Sequence, residues 1–193
     1  MMRGVLQKLI KHHPSTQVIW DDVLQVPLTD HGDTLLVHDI SVPLQSTVIV
    51  GNLPYYITSP IFRKFFVENR QLSGGVFLIQ REVGEKIATN AHKKSYLRRL
   101  LNYQYGVTYA FTVPPTAFRP PPKVDSCVVV LRRKESPALP EMVSRERFER
   151  FLDALHGYKR KTLRKIASLE RAAFDELGVS VPPSLEMKRV EEL

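Results

Sequence analysis

Asn52-Leu53-Pro54-Tyr55 is the stretch of this chain whose residue types and order are suited to chemistry. It follows an apolar run, STVIV at 46–50, and brings together a side-chain amide, a backbone stiffened by an imino acid, and a phenol. Such a set suits a flat heterocyclic amine. The exocyclic nitrogen of adenine or cytosine has its lone pair delocalised into the ring. It is therefore a poor nucleophile, yet too weak an acid for ordinary base catalysis. Accepting its N–H bonds with the Asn52 side chain and with the Leu53 or Pro54 carbonyl would localise that lone pair toward a methyl donor. Proline restricts the backbone so that the carbonyl keeps one direction. Tyr55 offers a ring face to a base turned out of its stack. The plainer reading is a turn that happens to carry proline, and chance produces the looser pattern in roughly a few per cent of chains this long.

Asp22 is the second polar residue placed where ligands collect. It follows TQVIW at 16–20 as Asn52 follows STVIV, and in open parallel sheets binding crevices lie beyond the carboxyl ends of the strands. A carboxylate there can accept from an amine or a ribose hydroxyl, and Asp22 and Asn52 are expected to face one crevice. Taken alone, Asp22 is more readily a turn or cap residue.

The elements that must hold these groups alternate. The sequence predicts a helix over 2–12, a strand over 16–20, an apolar stretch over 33–40 and a strand over 46–50. A helix over 58–69 and a strand over 75–80 follow. Short apolar strands separated by helices predict a parallel sheet covered on both faces, an α/β architecture. The turn signal HGD at 31–33 predicts an extra strand pair or a loop between Val26 and Leu44. A helix over 95–104 precedes strands over 105–112 and 123–133, an antiparallel pair at the sheet edge. They are joined by PPTAFRPPPK at 114–123, whose prolines exclude both helix and strand. Beyond KESPALPE at 134–141 only helices are predicted: 145–156, 159–168, 170–177 and 184–193. The expected organisation is a catalytic domain over 1–135 and a small all-helical domain over 136–193.

Bulk properties narrow the class. The 193 residues suffice for one well-filled domain with an appendage. No apolar run reaches the length of a membrane span. MMRGVLQKLIKHHP reads as an amphipathic helix rather than a secretion signal, because Gln7, Lys8 and Lys11 interrupt it. With Arg3 its one arginine, it is also a poor mitochondrial address. A cytoplasmic protein is expected. The single cysteine, Cys127, excludes an internal disulfide and a thiolate metal cage, and its apolar setting VDSCVVVL makes it a small buried residue. His12 and His13 have no carboxylate at ligand spacing, so no metal is expected. The net charge of +8 suggests an anionic partner, most commonly nucleic acid.

Three motifs in order, VGNLPYYITSPI, QREVGEKI and VPPTAFRPPPKVDSCVVVL, resemble the KsgA-type family of small-subunit ribosomal RNA adenine N(6),N(6)-dimethyltransferases. The resemblance runs through residues 15–133, with weaker likeness in YKRKTLRK and KRVEEL. It implies a Rossmann-like methyltransferase sheet that uses S-adenosylmethionine to dimethylate two adjacent adenosines near the end of small-subunit rRNA, with a part in ribosome biogenesis. By the same resemblance Asp22, in DDVL, contacts the cofactor adenine. Asn52 contacts the cofactor region and the target amine, Tyr55 stacks on the base, and Phe118, in AFRP, covers its other face. A core anchor for the proline-rich loop is the plainer role for Phe118. Gln80 and Glu82 are expected to form structural hydrogen bonds beneath the site. The glycine-rich turn that would wrap the methionine end of the cofactor has no counterpart here, since Gly51, Gly74 and Gly75 do not form one. The sheet is therefore expected to be incomplete at its N-terminus and the activity impaired.

Lys159, Arg160, Lys161, Arg164 and Lys165 open a predicted helix and are too many for Glu170 to neutralise. They are read as an rRNA backbone surface rather than a merely solvated face, which Arg98, Arg99, Arg119 and Lys123 would extend. A monomer acting on the immature small subunit is expected. The rival readings are a non-catalytic rRNA-binding assembly protein and a large-subunit rRNA adenine methyltransferase.

Overall fold

The computed structural model describes residues 13, 15–31, 33–37, 40–68, 72–88, 90, 95–135 and 144–192. The helix predicted over 2–12 and the domain boundary near 136 lie outside these residues. The region from Val26 to Leu44 is a three-stranded antiparallel meander, β1 (Leu28–His31), β2 (Thr34–Val37) and β3 (Ile40–Pro43). That meets the expectation of extra strands around the HGD turn. A second sheet holds β4 (Val48–Asn52), β5 (Gly74–Gln80), β6 (Tyr105–Val113) and β7 (Ser126–Arg133) in the order β4-β5-β7-β6.

Only β4 and β5 run parallel. The β5–β7 and β6–β7 ladders are antiparallel. The strands at 46–50 and 75–80 are thus parallel and those at 105–112 and 123–133 form the expected antiparallel pair at the edge: the hairpin that carries the proline-rich loop inserts β7 next to β5 and leaves β6 outermost. A correction concerns TQVIW. Residues 16–20 form no strand, and Ile19 and Trp20 are 37% and 47% exposed. Strand-like composition is insufficient when no neighbouring strand among the described residues takes up the backbone N–H and C=O groups.

The central strand β5 is buried along most of its length because its sequence, GGVFLIQ, is almost continuously apolar. Phe77 points into a cluster made by helix α1 (Thr58–Phe62) and the wider π-type turns that continue it over Arg63–Glu68. Its ring meets Phe62 and Phe66 edge to face at centroid distances of 5.0 and 5.5 Å, and Phe66 meets Tyr105 at 5.1 Å. Each such pair contributes about 0.5–1.5 kcal/mol beyond the area it buries. The Tyr105 hydroxyl donates to the Leu72 carbonyl at 3.0 Å, so the one polar atom of this cluster is satisfied.

Helix α2 (Arg81–Ile87), which the sequence pattern does not predict, starts where β5 ends and crosses β7 closely. A Cβ on Gly84 would lie 2.2 Å from Cys127 Sγ, so only glycine permits this approach. Cys127 is fully buried, as its apolar setting indicates. Burial, helped by the nearby Glu85 charge, pushes its thiol up to about 11.

Helix α3 (Tyr96–Asn102) is capped by Ser95, whose hydroxyl accepts from the Arg98 amide. It packs against α4 (Arg145–Gly157), the first of the C-terminal helices α4, α5 (Leu163–Leu169) and α6 (Arg171–Leu177). Tyr103 stacks on Phe148 at 4.9 Å, the Tyr96 hydroxyl donates to Asp153 at 2.5 Å, and Arg63 pairs with Glu149 at 2.9 Å. Arg98 is buried and Arg99 is half-buried, donating to the Val190 carbonyl at 3.1 Å. Both therefore turn toward the interior and do not extend a basic surface. The helix predicted over 184–193 is replaced in the described residues by two short 3-10 turns, Pro183–Leu185 and Val190–Glu192. The backbone there pairs instead with Thr162 through Arg189.

Two expectations test this packing. Gly84→Ala will lower stability by about 1–3 kcal/mol in urea unfolding, and adding Cys127→Ala will restore part of the loss. The thiol will resist Ellman's reagent at pH 7.5 until the protein unfolds. Because its folded pKa lies above the ordinary value of 9.0, its contribution to stability is complete below pH 9 and is lost as the pH rises to about 11. A Cys127→Ala variant with an unchanged alkaline limb would contradict this assignment.

Candidate functional site

Asn52 closes β4. Its position is set by the parallel ladder, in which Asn52 stands opposite Leu78, and the ladder ends when the Leu53 amide donates to the Leu78 carbonyl at 3.0 Å. Pro54 cannot continue the pairing, so the chain turns through the 3-10 segment Tyr55–Ile57 into α1. Asn52 is left exposed at the rim while Leu53 and Tyr55 remain half-buried.

On the far side of the rim, the proline-rich loop contributes Phe118. A 3-10 turn at Pro115–Ala117 ends in a bond from the Phe118 amide to the Pro115 carbonyl at 3.1 Å, and the Arg119–Pro120 peptide is cis. Asn52, Leu53, Pro54, Tyr55, Phe118, Pro120, Pro121 and Pro122 together line one open hollow of about 440 Å³. All five residues read as carrying the chemistry thus meet around a single space, with both rings on its wall.

The two backbone carbonyls proposed as acceptors are not equivalent. The Pro54 carbonyl already accepts from the Ile57 amide at 3.2 Å and from the Thr58 hydroxyl at 3.3 Å, which occupies both of its lone pairs. Among the described residues no donor reaches the Leu53 carbonyl. Leu53 is therefore the residue able to act with the Asn52 amide.

Tyr55 is held from behind. Its hydroxyl and the Ser126 hydroxyl share a hydrogen bond of 2.6 Å, and Ser126 is fully buried at the start of β7. The sequence motifs do not single out Ser126. The available signal is a hydroxyl leading the apolar run CVVVL, since a buried hydroxyl requires a partner.

Asp22 lies elsewhere. Its carboxylate accepts from the Leu24 amide at 2.9 Å, and its carbonyl accepts from Gln25 and Val26 at 2.8 and 3.0 Å. It caps the turn that leads into β1 and is not among the residues lining the Asn52 hollow, so the two do not share that space. Beside this turn the Lys64 ammonium donates to the Leu24 and Val26 carbonyls, and burial pulls its pKa down.

A second cleft, of about 410 Å³, flanks the loop on its other side and is lined by residues including Gln80, Arg81, Glu82 and Lys123. Glu82 is exposed there and pairs with Lys86 at 2.5 Å, a bond that holds its carboxyl below the usual range. It therefore forms a surface ion pair on α2 rather than a bond beneath the site. Arg81 bridges Glu85 at 2.7 Å and Asp125 at 3.3 Å, which ties α2 to the end of the loop. Arg119 and Lys123 are exposed on the loop.

Lys159, Arg160 and Lys161 occupy the turn between α4 and α5, with Arg164 and Lys165 on the first turns of α5. The helix predicted over 159–168 thus begins only at Leu163. All five are exposed, and none has an ion-pair partner among the described residues. Lys161 lies over the Tyr158 ring at 5.8 Å. No group of residues suited to a metal ion occurs among the described residues, and none of their helices is long and apolar enough to cross a membrane.

Comparison with known proteins places this geometry in context. The family described as ribosomal RNA adenine dimethylase matches residues 2–192. A protein of Xanthomonas campestris pv. campestris named ribosomal RNA small subunit methyltransferase A is 36% identical over 201 residues, spanning 95% of this chain and 76% of its own length. The protein of that name from Staphylococcus epidermidis is 32% identical over 161 residues, spanning 82% of this chain and 52% of its own. Among solved structures, the 23S rRNA methyltransferase ErmE aligns with a TM-score of 0.66 over 98% of this chain and 73% of its own. At 22% identity that likeness speaks for the fold alone. A dimethyladenosine transferase from Plasmodium falciparum aligns with a TM-score of 0.60 at 25% identity, over 80% of this chain and 66% of its own. The α/β, Rossmann-like assignment made from the motifs agrees with both.

Proposed function

The chain belongs to the ribosomal RNA adenine dimethylase family, and on that footing we propose that it dimethylates the exocyclic amines of two adjacent adenosines near the end of small-subunit rRNA. This would place it in ribosome biogenesis. The observation that carries the proposal is the convergence of the Asn52 amide, the Leu53 carbonyl and the Tyr55 and Phe118 rings on one hollow.

The residues act on the acceptor. An adenine turned out of its stack enters the hollow between the two rings, and stacking replaces the contacts it leaves behind. In the first transfer the Asn52 side-chain oxygen and the Leu53 carbonyl each accept one N–H of the amine, and in the second one of them accepts the single N–H that remains. This orients the nitrogen lone pair and stabilises the positive charge that grows on nitrogen as the new bond forms. The loop prolines limit water and hold Phe118 over the space. Fixed approach of this kind lowers the barrier of a methyl transfer because the reaction requires in-line geometry.

S-adenosylmethionine, the proposed donor, supplies an electrophilic methyl group on a sulfonium. The hollow fits the acceptor better than the donor: its lining includes no carboxylate for a ribose, and Asp22 is engaged in its own turn. Asn52 is the residue at this rim that would border the donor.

RNA is held at a distance from the chemistry. We assign Lys159, Arg160, Lys161, Arg164 and Lys165, with Arg119 and Lys123 on the loop, to contacts with phosphates. Helices α4 to α6 serve as the RNA-binding domain. Ion pairing to phosphates is insensitive to sequence, so selection of the target adenosines follows from RNA shape and from access to an unstacked loop.

Asn52→Ala will lower methyl incorporation into immature small subunits by about 10²–10³-fold while leaving RNA affinity unchanged. Full transfer by that variant would remove Asn52 from the acceptor site, whereas RNA binding with no methyl transfer by the unaltered chain would favour a non-catalytic rRNA-binding protein. Replacing Lys159, Arg160 and Lys161 together by Ala will weaken RNA binding and flatten the dependence of log K on log salt by roughly 0.7–0.9 for each phosphate no longer neutralised. An unchanged slope would remove these residues from the interface.

A further inference from the structure

We infer that Ser126 is a positioning residue for the reaction, acting through Tyr55 to fix the plane of the ring on which the target base stacks. The inference rests on the acceptor-site reading above and adds a residue that lies behind the hollow rather than in it. Ser126 does not line the hollow, and Tyr55 does. The connection between them is a 2.6 Å hydrogen bond between residues 71 positions apart in the chain.

Three features make Ser126 an anchor rather than an incidental contact. It is fully buried, so its hydroxyl cannot exchange this bond for one to solvent. Its backbone stands opposite Gln80 of β5 on one side and Val113 of β6 on the other, so it is held within the sheet while Tyr55 belongs to a short 3-10 turn. A group on a strand locates a partner more closely than one on a loop can. The geometry also accounts for a phenol at this position. A phenylalanine would offer the same stacking face, but its para position would leave the buried Ser126 hydroxyl without this partner.

A tyrosine pinned at its tip loses most of its freedom to tilt. Its ring therefore waits in one plane, opposite Phe118, before RNA arrives. Release of the bond would leave the hollow present and the RNA contacts intact while broadening the orientations of the bound base. That loss falls on the chemical step more than on binding.

The test measures methyl transfer to immature small subunits by Ser126→Ala, Tyr55→Phe, the double variant and Asn52→Ala. In parallel, each protein binds an RNA hairpin that carries 2-aminopurine in place of one target adenosine. Ser126→Ala and Tyr55→Phe are each expected to lower kcat by about ten- to a hundredfold. KM should stay within about twofold, and the double variant should be no slower than either single one. The stacking-dependent quenching of 2-aminopurine should fall in the same variants at unchanged hairpin affinity. Should Ser126→Ala fail to fold, Tyr55→Phe, which alters only the half-buried partner, carries the same expectation. Wild-type kcat and quenching in Tyr55→Phe would overturn the inference, as would multiplicative losses in the double variant. If those results came with an inactive Asn52→Ala, the acceptor site would stand without the anchor. Full transfer by Asn52→Ala would refute the site itself.

Discussion

Strand β5 lies between β4 and β7, and its two hydrogen-bond ladders determine where each group at the rim stands. Through the parallel ladder it places Asn52 opposite Leu78, and through the antiparallel one it places Ser126 opposite Gln80. A slip of one residue in either ladder would turn Phe77 and Ile79 out of the core and carry Asn52 or Ser126 to the wrong face. The aromatic contacts of Phe62, Phe66 and Tyr105 around Phe77 are therefore more than stability. They hold the register on which the chemistry depends.

The rim separates two tasks that place opposite demands on a protein surface. Ordering a neutral base requires rings and a few hydrogen-bond acceptors, and the hollow is built from prolines, Tyr55, Phe118 and Asn52, with no charged side chain on its lining. Gripping a polyanion requires exposed cations, and the turn at Lys159–Lys161 and helix α5 carry exposed lysines and arginines with no ion-pair partner among the described residues. Keeping charge out of the hollow matters physically. A carboxylate or ammonium beside the amine would compete for its hydrogen bonds and draw water into the reaction space.

How much was legible in the chain follows from the range of the interactions involved. The order Asn-Leu-Pro-Tyr and the proline-dense loop are local signals, and the turn after β4 and the extended loop bearing Phe118 appear where those signals stand. The strand reading of TQVIW failed because pairing is a property of two segments, and composition describes one. Arg98 and Arg99 read as surface cations from their charge, yet in α3 Arg98 is buried and Arg99 turns to the C-terminal segment, where it meets the Val190 carbonyl. Glu82 shows the converse: motif context suggested a group beneath the site, while one turn of α2 carries it out to Lys86.

By itself the sequence determined the residue types at the rim, the punctuation by proline and glycine, and the family, because these depend on covalent geometry and near neighbours along the chain. The tertiary structure alone decided which carbonyl remains available, that of Leu53 and not that of Pro54. It likewise decided that Asp22 caps a turn away from the hollow and that Tyr55 meets a serine 71 residues downstream. The physical reason is that a hydrogen bond is directional and saturable. Whether a donor or acceptor is free for a substrate depends on which distant groups the packed sheet has already brought to it.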